Sequence, residues 1–203
     1  MEINSVNPPS SMGRRKLASP RTQLDRGNWI ESAIDVLAHD GVGGLRVEVL
    51  AKRCGVTKGS FYWHFKDRQD LLAAILEHWK EGRIRDIEKT TSVTPGKERE
   101  QLHFAIEVYG ASRNRKGMSI ELAVRDWARH DPQAATVVEA VDLYRLECTR
   151  KLFVAAGMSD AEAKSRSLLL YACVFGLSLM HYTHFDNNLD DLKERIAERI
   201  VSA

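Results

Sequence analysis

The stretch that most constrains this chain is residues 46–68, with the sequence RVEVLAKRCGVTKGSFYWHFKDR. Apolar residues recur at helical spacing from Val47 to Cys54, which predicts a short helix with one buried face. Gly55 stands where a helix ends in a left-handed conformation, and Thr57 is placed to cap a second helical run. Two short helices joined by a tight turn that contains glycine are typical of a helix-turn-helix.

The second helix of this stretch is predicted over residues 58–65. Phe61 and Phe65 are spaced four residues apart and are expected to anchor it inward, which leaves polar and aromatic side chains outside. Tyr62 and Lys66 suit phosphate contacts, whereas Trp63 and its polar neighbours suit base edges or thymine methyl groups. The candidate DNA-contacting residues are Arg46, Thr57, Lys58, Gly59, Ser60, Tyr62, Trp63, His64, Lys66 and Arg68. For His64, a packed side chain with one hydrogen bond is an equally open interpretation.

The order and spacing of these residues resemble the DNA-binding region of the tetracycline-repressor (TetR) family. The shared run includes Leu50-Ala51, continues from Gly55 to Arg68 and closes at Leu71-Leu72, so the likeness covers roughly residues 28–80. One departure is Arg46, which stands where a Ser or Thr cap is expected but can reach a phosphate instead. The resemblance implies a DNA-binding regulator in which the helix after Leu71 joins the DNA-binding part to a C-terminal domain.

The charge distribution agrees with a DNA-binding N-terminal part. Residues 1–68 hold eleven Lys and Arg against seven Asp and Glu, a net charge of +4, whereas the remainder is close to neutral. A basic end beside a near-neutral remainder is expected where one end meets phosphate. The overall composition, 43% hydrophobic and 29% charged, is that of an ordinary soluble globular protein.

The chain as a whole shows only helical periods, which predicts an all-α fold of about nine helices. Residues 1–24 are interpreted as a flexible basic arm, 25–80 as a three-helix helix-turn-helix domain, and 81–203 as a helical bundle for ligand sensing and dimerisation. The predicted helices are 28–40, 47–54, 58–65, 67–89, 97–111, 119–130, 131–157, 159–184 and 189–201.

Several function classes find no support in the sequence. Cys54, Cys148 and Cys173 form no metal-binding or disulfide pattern, so they are interpreted as small buried residues in a reducing compartment. His181 and His184 lack a third ligand at convincing spacing, so no metal site is predicted. No nucleophile signature, secretory signal or membrane-spanning run is present. We therefore expect a cytoplasmic protein that is not an enzyme and needs no cofactor.

Residues 168–180 are apolar nearly all round, which predicts a helix covered on more than one side. A two-fold partner is the natural cover for the second side, and the last helix is expected to complete a four-helix interface. The predicted interface residues are Leu170, Val174, Leu177, His181, Ile196 and Ile200.

The C-terminal helices also carry a set of aromatic and apolar residues that suits a small-molecule pocket. The predicted pocket residues are Phe104, Val108, Trp127, Tyr144, Tyr171 and Phe175. For each of them alone, filling the core is the alternative interpretation. Because Arg125 and Arg145 are isolated in the sequence, no cationic cluster is expected, and a neutral or lipophilic effector is favoured.

The leading hypothesis is a homodimeric repressor that binds a near-palindromic operator and is released from it by a small-molecule effector. One alternative is a DNA-binding dimer of the same fold with no small-molecule effector. A more remote alternative is a small helical enzyme.

Overall fold

The computed structural model of the chain describes residues 24–92, 95–110 and 115–202, without the side chains of 107–110 and 115. Within these ranges it contains nine α-helices, one short 3-10 helix and no strand, as the sequence predicts. The predicted basic arm lies almost wholly outside the described residues. The helices are α1 Arg26–Asp40, α2 Val47–Arg53, α3 Lys58–Phe61, α4 Arg68–Thr91, α5 Glu98–Gly110, α6 Arg115–Ala128, α7 Pro132–Ala155, α8 Asp160–Leu179 and α9 Leu189–Val201.

The first three helices pack around a small aromatic core. A reciprocal pair of hydrogen bonds between Asp25 and Asn28 caps α1 and thereby fixes where it begins. Trp29 of α1 meets the ring of Phe61 edge-on at 5.5 Å between centroids, and Phe61 stacks on Phe65 at 5.2 Å. All three rings are fully buried, so they hold α3 against α1.

The turn between α2 and α3 forms as predicted at Gly55. Its φ of 68° lies in the left-handed region, which glycine adopts without a steric cost. The amide of Val56 donates back to the carbonyl of Ala51 at 3.0 Å and so closes the end of α2. Thr57 does stand at the N-cap of α3, but neither its side chain nor that of Arg46 makes a capping hydrogen bond.

Three predicted helix boundaries are wrong. Helix α3 is a single turn that ends at Phe61, although Phe65 still turns inward because its amide reaches the carbonyl of Phe61. Helix α6 begins at Arg115 rather than 119, and Lys116 in its first turn pairs with α1. Helix α8 ends at Leu179, five residues early, since the polar stretch that follows contains weak helix formers.

The long helices begin at side-chain caps that the sequence signals. Asp67 accepts from the amide of Asp70 at the start of α4, and Asp131 accepts from the amides of Gln133 and Ala134 at the start of α7. Ser159 and Asn188 cap α8 and α9 in the same way. Each cap satisfies a backbone donor that the first helical turn leaves unpaired.

Two hydrophobic clusters form the core of the described residues. The first runs from α1 through α4 into α6 and α7, so the apolar interior continues past residue 80. The second joins α5, α7, α8 and α9. No described helix combines the length and the apolar character that spanning a bilayer would require.

Candidate nucleic-acid interface and interior sites

The turn that carries α3 presents two large aromatic side chains to solvent. Tyr62 is 59% exposed and Trp63 is 78% exposed, whereas Phe61 immediately before them is completely buried. Exposed aromatic groups of this size are unusual on a protein surface without a binding role. The buried rings of Phe61 and Phe65 fix the backbone from which Tyr62 and Trp63 project.

Two lysines flank these aromatic groups. Lys66 is exposed, and Lys58 lies 2.5 Å from Glu48 of α2, measured from Nζ to Oε1. The hydrogen bond from Lys58 lowers the pKa of Glu48, so the Glu48 carboxylate stays charged. Because the pair is exposed, Lys58 can exchange Glu48 for a phosphate or a base at small cost.

The remaining predicted contact residues of α2 and α3 differ in exposure. Thr57 and Gly59 are exposed, and Ser60 is half-buried. Arg46 is exposed at the start of α2, and its side chain makes no capping hydrogen bond. The placement of these four residues is compatible with contact to a duplex, and their role stays a prediction.

Arg68 and His64 have structural surroundings that the sequence did not reveal. Arg68 donates from Nε to the carbonyl of Leu45 at 2.6 Å and from Nη2 to that of Val42 at 3.0 Å. These bonds tie the start of α4 to the connection between α1 and α2. His64 is half-buried, and its Nε2 is buried without a hydrogen-bond partner.

A three-helix core with a tight glycine turn and a short, outward-facing second motif helix defines a helix-turn-helix protein. Residues 30–75 match the sequence profile described as "Bacterial regulatory proteins, tetR family". Over these residues the chain is similar to that family.

Two curated relatives match a little more than a quarter of the chain. The tetracycline repressor protein class A from transposon 1721 of Escherichia coli is 41% identical over 56 residues. The HTH-type transcriptional regulator AcrR of Shigella flexneri is 38% identical over 55 residues. These matches cover 28% and 27% of this chain, and only 26% of the length of each relative.

Solved structures match over nearly the whole chain. A putative transcriptional regulator from Saccharomonospora viridis in complex with choline has a TM-score of 0.71 at 17% identity, covering 87% of this chain and 94% of the other. A member of the TetR family from Streptomyces coelicolor A3 has a TM-score of 0.61 at 23% identity, covering 91% and 100%. At such identities the likeness shows the fold alone. It covers the C-terminal helices as well as the helix-turn-helix.

The described members of the predicted pocket set have different surroundings. Trp127 is buried in the first hydrophobic cluster and Tyr171 in the second, while Phe104 is 45% exposed. The side chain of Val108 lies outside the described residues. One pocket lined by all six therefore stays a prediction.

Tyr144 bridges two long helices. Its hydroxyl group donates to Glu88 of α4 at 2.8 Å, which raises the pKa of Tyr144 to about 12. The phenol therefore remains protonated and keeps this contact between α4 and α7 at any physiological pH.

The expectation that Arg125 and Arg145 are isolated is also wrong. The structure brings them together with Glu121 of α6 and Asp142 of α7 into one cluster, here called the buried charge cluster. Arg125 binds Asp142 through two hydrogen bonds of 2.8 and 2.5 Å and binds Glu121 at 2.8 Å. Arg145 reaches Glu121 at 3.0 Å and Asp142 at 3.3 Å.

The cluster lies against aromatic rings of α8. The guanidinium of Arg125 lies 4.1 Å from the ring centre of Phe175, and that of Arg145 lies 5.4 Å from Tyr171. Burial opposes the charge on Arg125, but the hydrogen bond to Asp142 and the charge of Glu121 outweigh it and raise the pKa of Arg125. Arg125 therefore stays charged at neutral pH.

Sequence reasoning overlooked Glu121 and Asp142 as site residues. The available signal was the helical spacing of opposite charges, Glu121 with Arg125 and Asp142 with Arg145, within largely apolar helices. Such pairs usually lie on the solvated surface of a helix, so the spacing alone could not show that the pair on α6 meets the pair on α7 in the interior.

The residues predicted for the dimer interface differ in exposure, and their role stays a prediction. Leu170, Val174 and Ile200 are buried within the chain itself, whereas Leu177 and Ile196 are half-buried and His181 is exposed. The exposed apolar side chains of α8 and its end are Leu168, Leu169, Leu179 and Met180. The sequence showed that α8 needs cover on two sides but not which side faces inward.

The residues considered for metal or redox chemistry show nothing further. Cys54, Cys148 and Cys173 are free and only half-buried. Within the described ranges no group of three or more His, Cys, Asp or Glu residues is arranged to hold a metal ion.

Proposed function

We propose that the chain is a transcriptional regulator that binds operator DNA through the surface around α3. The observation that carries this proposal is the exposed pair Tyr62 and Trp63, projecting from a rigid aromatic core in a region that matches the tetR-family profile. The proposal assigns residues 25–80 to DNA binding and residues 81–203 to effector binding and dimerisation.

The DNA-binding role can be tested by selecting bound sequences from random DNA and measuring affinity by fluorescence anisotropy. Tyr62→Ala and Lys66→Ala should weaken binding to every sequence, because both residues are assigned to phosphates. Lys66→Ala should also reduce the salt dependence of binding, because Lys66 is charged. Ser60→Ala should relax base preference, with a loss of roughly 1–3 kcal/mol for a good base contact. The control is Lys151→Ala, which removes an exposed lysine of α7.

Two results would count against this surface. One is parent-like affinity in all three variants, and the other is an equal loss in Lys151→Ala. The first would show that the DNA-binding surface does not include these residues around α3. The second would show that the loss of affinity follows from the overall charge of the protein.

We further propose that the regulator works as a homodimer formed through α8 and α9. Leu168, Leu169, Leu179 and Met180 expose an apolar face that a second copy would cover. Two copies would present two α3 surfaces about one helical turn of DNA apart, or a multiple of it, on a near-palindromic site.

A matched pair of leucines tests this interface. Leu168 of α8 and Leu143 of α7 are each 62% exposed. Leu168→Arg should yield monomers with weak operator binding, whereas Leu143→Arg should remain dimeric, as measured by analytical ultracentrifugation. If Leu143→Arg alone dissociates the dimer, the interface lies on α7.

A small-molecule effector completes the proposal. It is supported by the structural neighbour from Saccharomonospora viridis, which is in complex with choline. It is also supported by α4, whose 24 residues extend from the helix-turn-helix to the packing surface of α7. Binding that favours one of two arrangements of α4 would shift the spacing of the two α3 surfaces.

A further inference from the structure

The buried charge cluster contains more charge than packing requires. Glu121 and Arg145 are each 3% exposed, and their formal charges are balanced by those of Arg125 and Asp142. Removing charged groups from water is costly, and apolar residues of similar volume usually stabilise a fold at least as well. Stability alone therefore gives no reason for placing four charges here.

The cluster is also incompletely paired. Among the described residues, Glu121 Oε2 and Arg145 Nε are both buried and have no hydrogen-bond partner. A buried acceptor and a buried donor without partners cost free energy, and a native protein seldom retains them without a role. The two unpartnered atoms belong to side chains that a 3.0 Å hydrogen bond joins, from Arg145 Nη1 to Glu121 Oε1.

A surface groove lies beside the outer members of the cluster. Arg125 and Asp142, the outer members of the cluster, line an open groove of about 380 Å³ between α6 and α7. The remainder of the groove is mostly apolar and includes Val138 and Leu143. Glu121 and Arg145 do not line the groove themselves, but they bond directly to Arg125 and Asp142, which do.

The chemistry of the cluster restricts what it can bind. The four formal charges cancel, so a charged ligand would leave an unbalanced charge in the interior. The face of Phe175 is already covered by the Arg125 guanidinium, which disfavours a cationic ligand there. The unpartnered carboxylate oxygen needs a donor, and the unpartnered Nε–H needs an acceptor.

We propose that Glu121 and Arg145 form the polar end of an effector site for a neutral molecule that carries a hydrogen-bond donor beside an acceptor, as an amide or lactam does. The role of that molecule as effector rests on the proposed regulatory function, but its binding does not. Such a ligand agrees with the neutral effector that the sequence favours.

The experiment uses four aromatic probes of similar size on the full chain: benzamide, toluene, benzoate and benzylammonium. Binding is followed by the NMR resonance of the Arg145 Nε–H group, which is assigned by its loss in Arg145→Lys. Benzamide should shift this resonance and bind more tightly than the other three probes. Glu121→Gln and Arg145→Lys should each weaken benzamide binding about tenfold or more.

Matched controls come from α7, the helix that carries Arg145. Glu147→Gln and Arg150→Lys alter a carboxylate and a guanidinium that pair with each other elsewhere on α7, and they should bind benzamide as the parent does. Circular dichroism melting separates loss of binding from loss of fold. If Glu121→Gln fails to fold, the benzamide affinity of Arg145→Lys, which keeps the charge, decides the test.

Several outcomes would overturn the proposal. The first is an Arg145 resonance that does not move in the presence of benzamide, as expected if an ordered water alone fills the site. The second is that benzoate or benzylammonium binds as tightly as benzamide. The third is that both cluster variants bind benzamide with the affinity of the parent. Operator binding is measured separately without any probe. Failure there would reject the regulatory function while leaving the binding site intact.

Discussion

At the scale of single residues, position in the motif and physical role need not coincide. Arg68 belongs to the run that resembles the TetR family, and the sequence placed it among the DNA contacts. In the structure two of its nitrogens are engaged with the carbonyls of Val42 and Leu45. Its nearer task is to hold the connection between α1 and α2 against the start of α4.

We expect Arg68→Met to lower the free energy of unfolding by about 1–2 kcal/mol, because two carbonyl groups lose a charged donor. Urea unfolding measures this change. Arg46→Met is the control, since Arg46 is exposed nearby and makes no capping hydrogen bond. A larger loss in Arg46→Met than in Arg68→Met would contradict the structural role of Arg68.

At the scale of helices, local chemistry predicted the starts better than the ends. Asp131-Pro132, Ser159 and Asn188 are start signals that act within one turn, and α7, α8 and α9 begin where these residues indicate. The early start of α6 depends on a distant partner, because Lys116 meets Asp35 of α1. The contact between Glu121 and Arg145 likewise depends on how α6 packs on α7. The hydrophobic periodicity of the sequence does not predict that packing.

The cap of α7 yields a pH-dependent prediction. The amide of Ala134, followed by the side chain of Trp127, lowers the pKa of Asp131 below its ordinary value of 3.8. The ionised cap therefore stabilises the fold above that pH, and its contribution disappears as the pH falls through the lowered pKa. Asp131→Ala should cost about 1 kcal/mol at pH 7 and clearly less in acid.

Urea unfolding of both proteins at neutral and acidic pH measures this difference. Glu139→Ala, which removes an exposed carboxylate further along α7, serves as the control. A cost for Asp131→Ala that stays the same in acid would show that the carboxylate does not act as the cap.

At the scale of the whole molecule, α6 connects the interior to the DNA-binding helices. One part of it supplies Glu121 and Arg125 to the buried charge cluster. Its first turn supplies Lys116, which lies 2.8 Å from Asp35 of α1, and Asp35 also lies 4.0 Å from Arg53 of α2. The hydrogen bond from Lys116 lowers the pKa of Asp35, so this link remains charged at neutral pH.

We expect Asp35→Asn and Lys116→Met each to weaken operator binding by about two- to fivefold, the range of an exposed ion pair. Neither residue is assigned to DNA, so the effect would come from a loosened attachment of α1 to α6. The double variant should bind no more weakly than either single variant, as judged by operator anisotropy. Additive losses, or an equal loss in Arg85→Met on α4, would contradict this coupling.

The first hydrophobic cluster passes without a break from Trp29 of α1 to Val141 of α7. An element that reads DNA is often pictured as an interchangeable module, to be joined to any sensor by a suitable linker. In this chain, a DNA-binding part cut out near residue 80 would lose the side of its hydrophobic core that α6 and α7 supply. A functional chimera would need the inward faces of α6 and α7 to be transferred together with α1 and α4. The segment that has to be moved as a whole is therefore larger than the recognition motif.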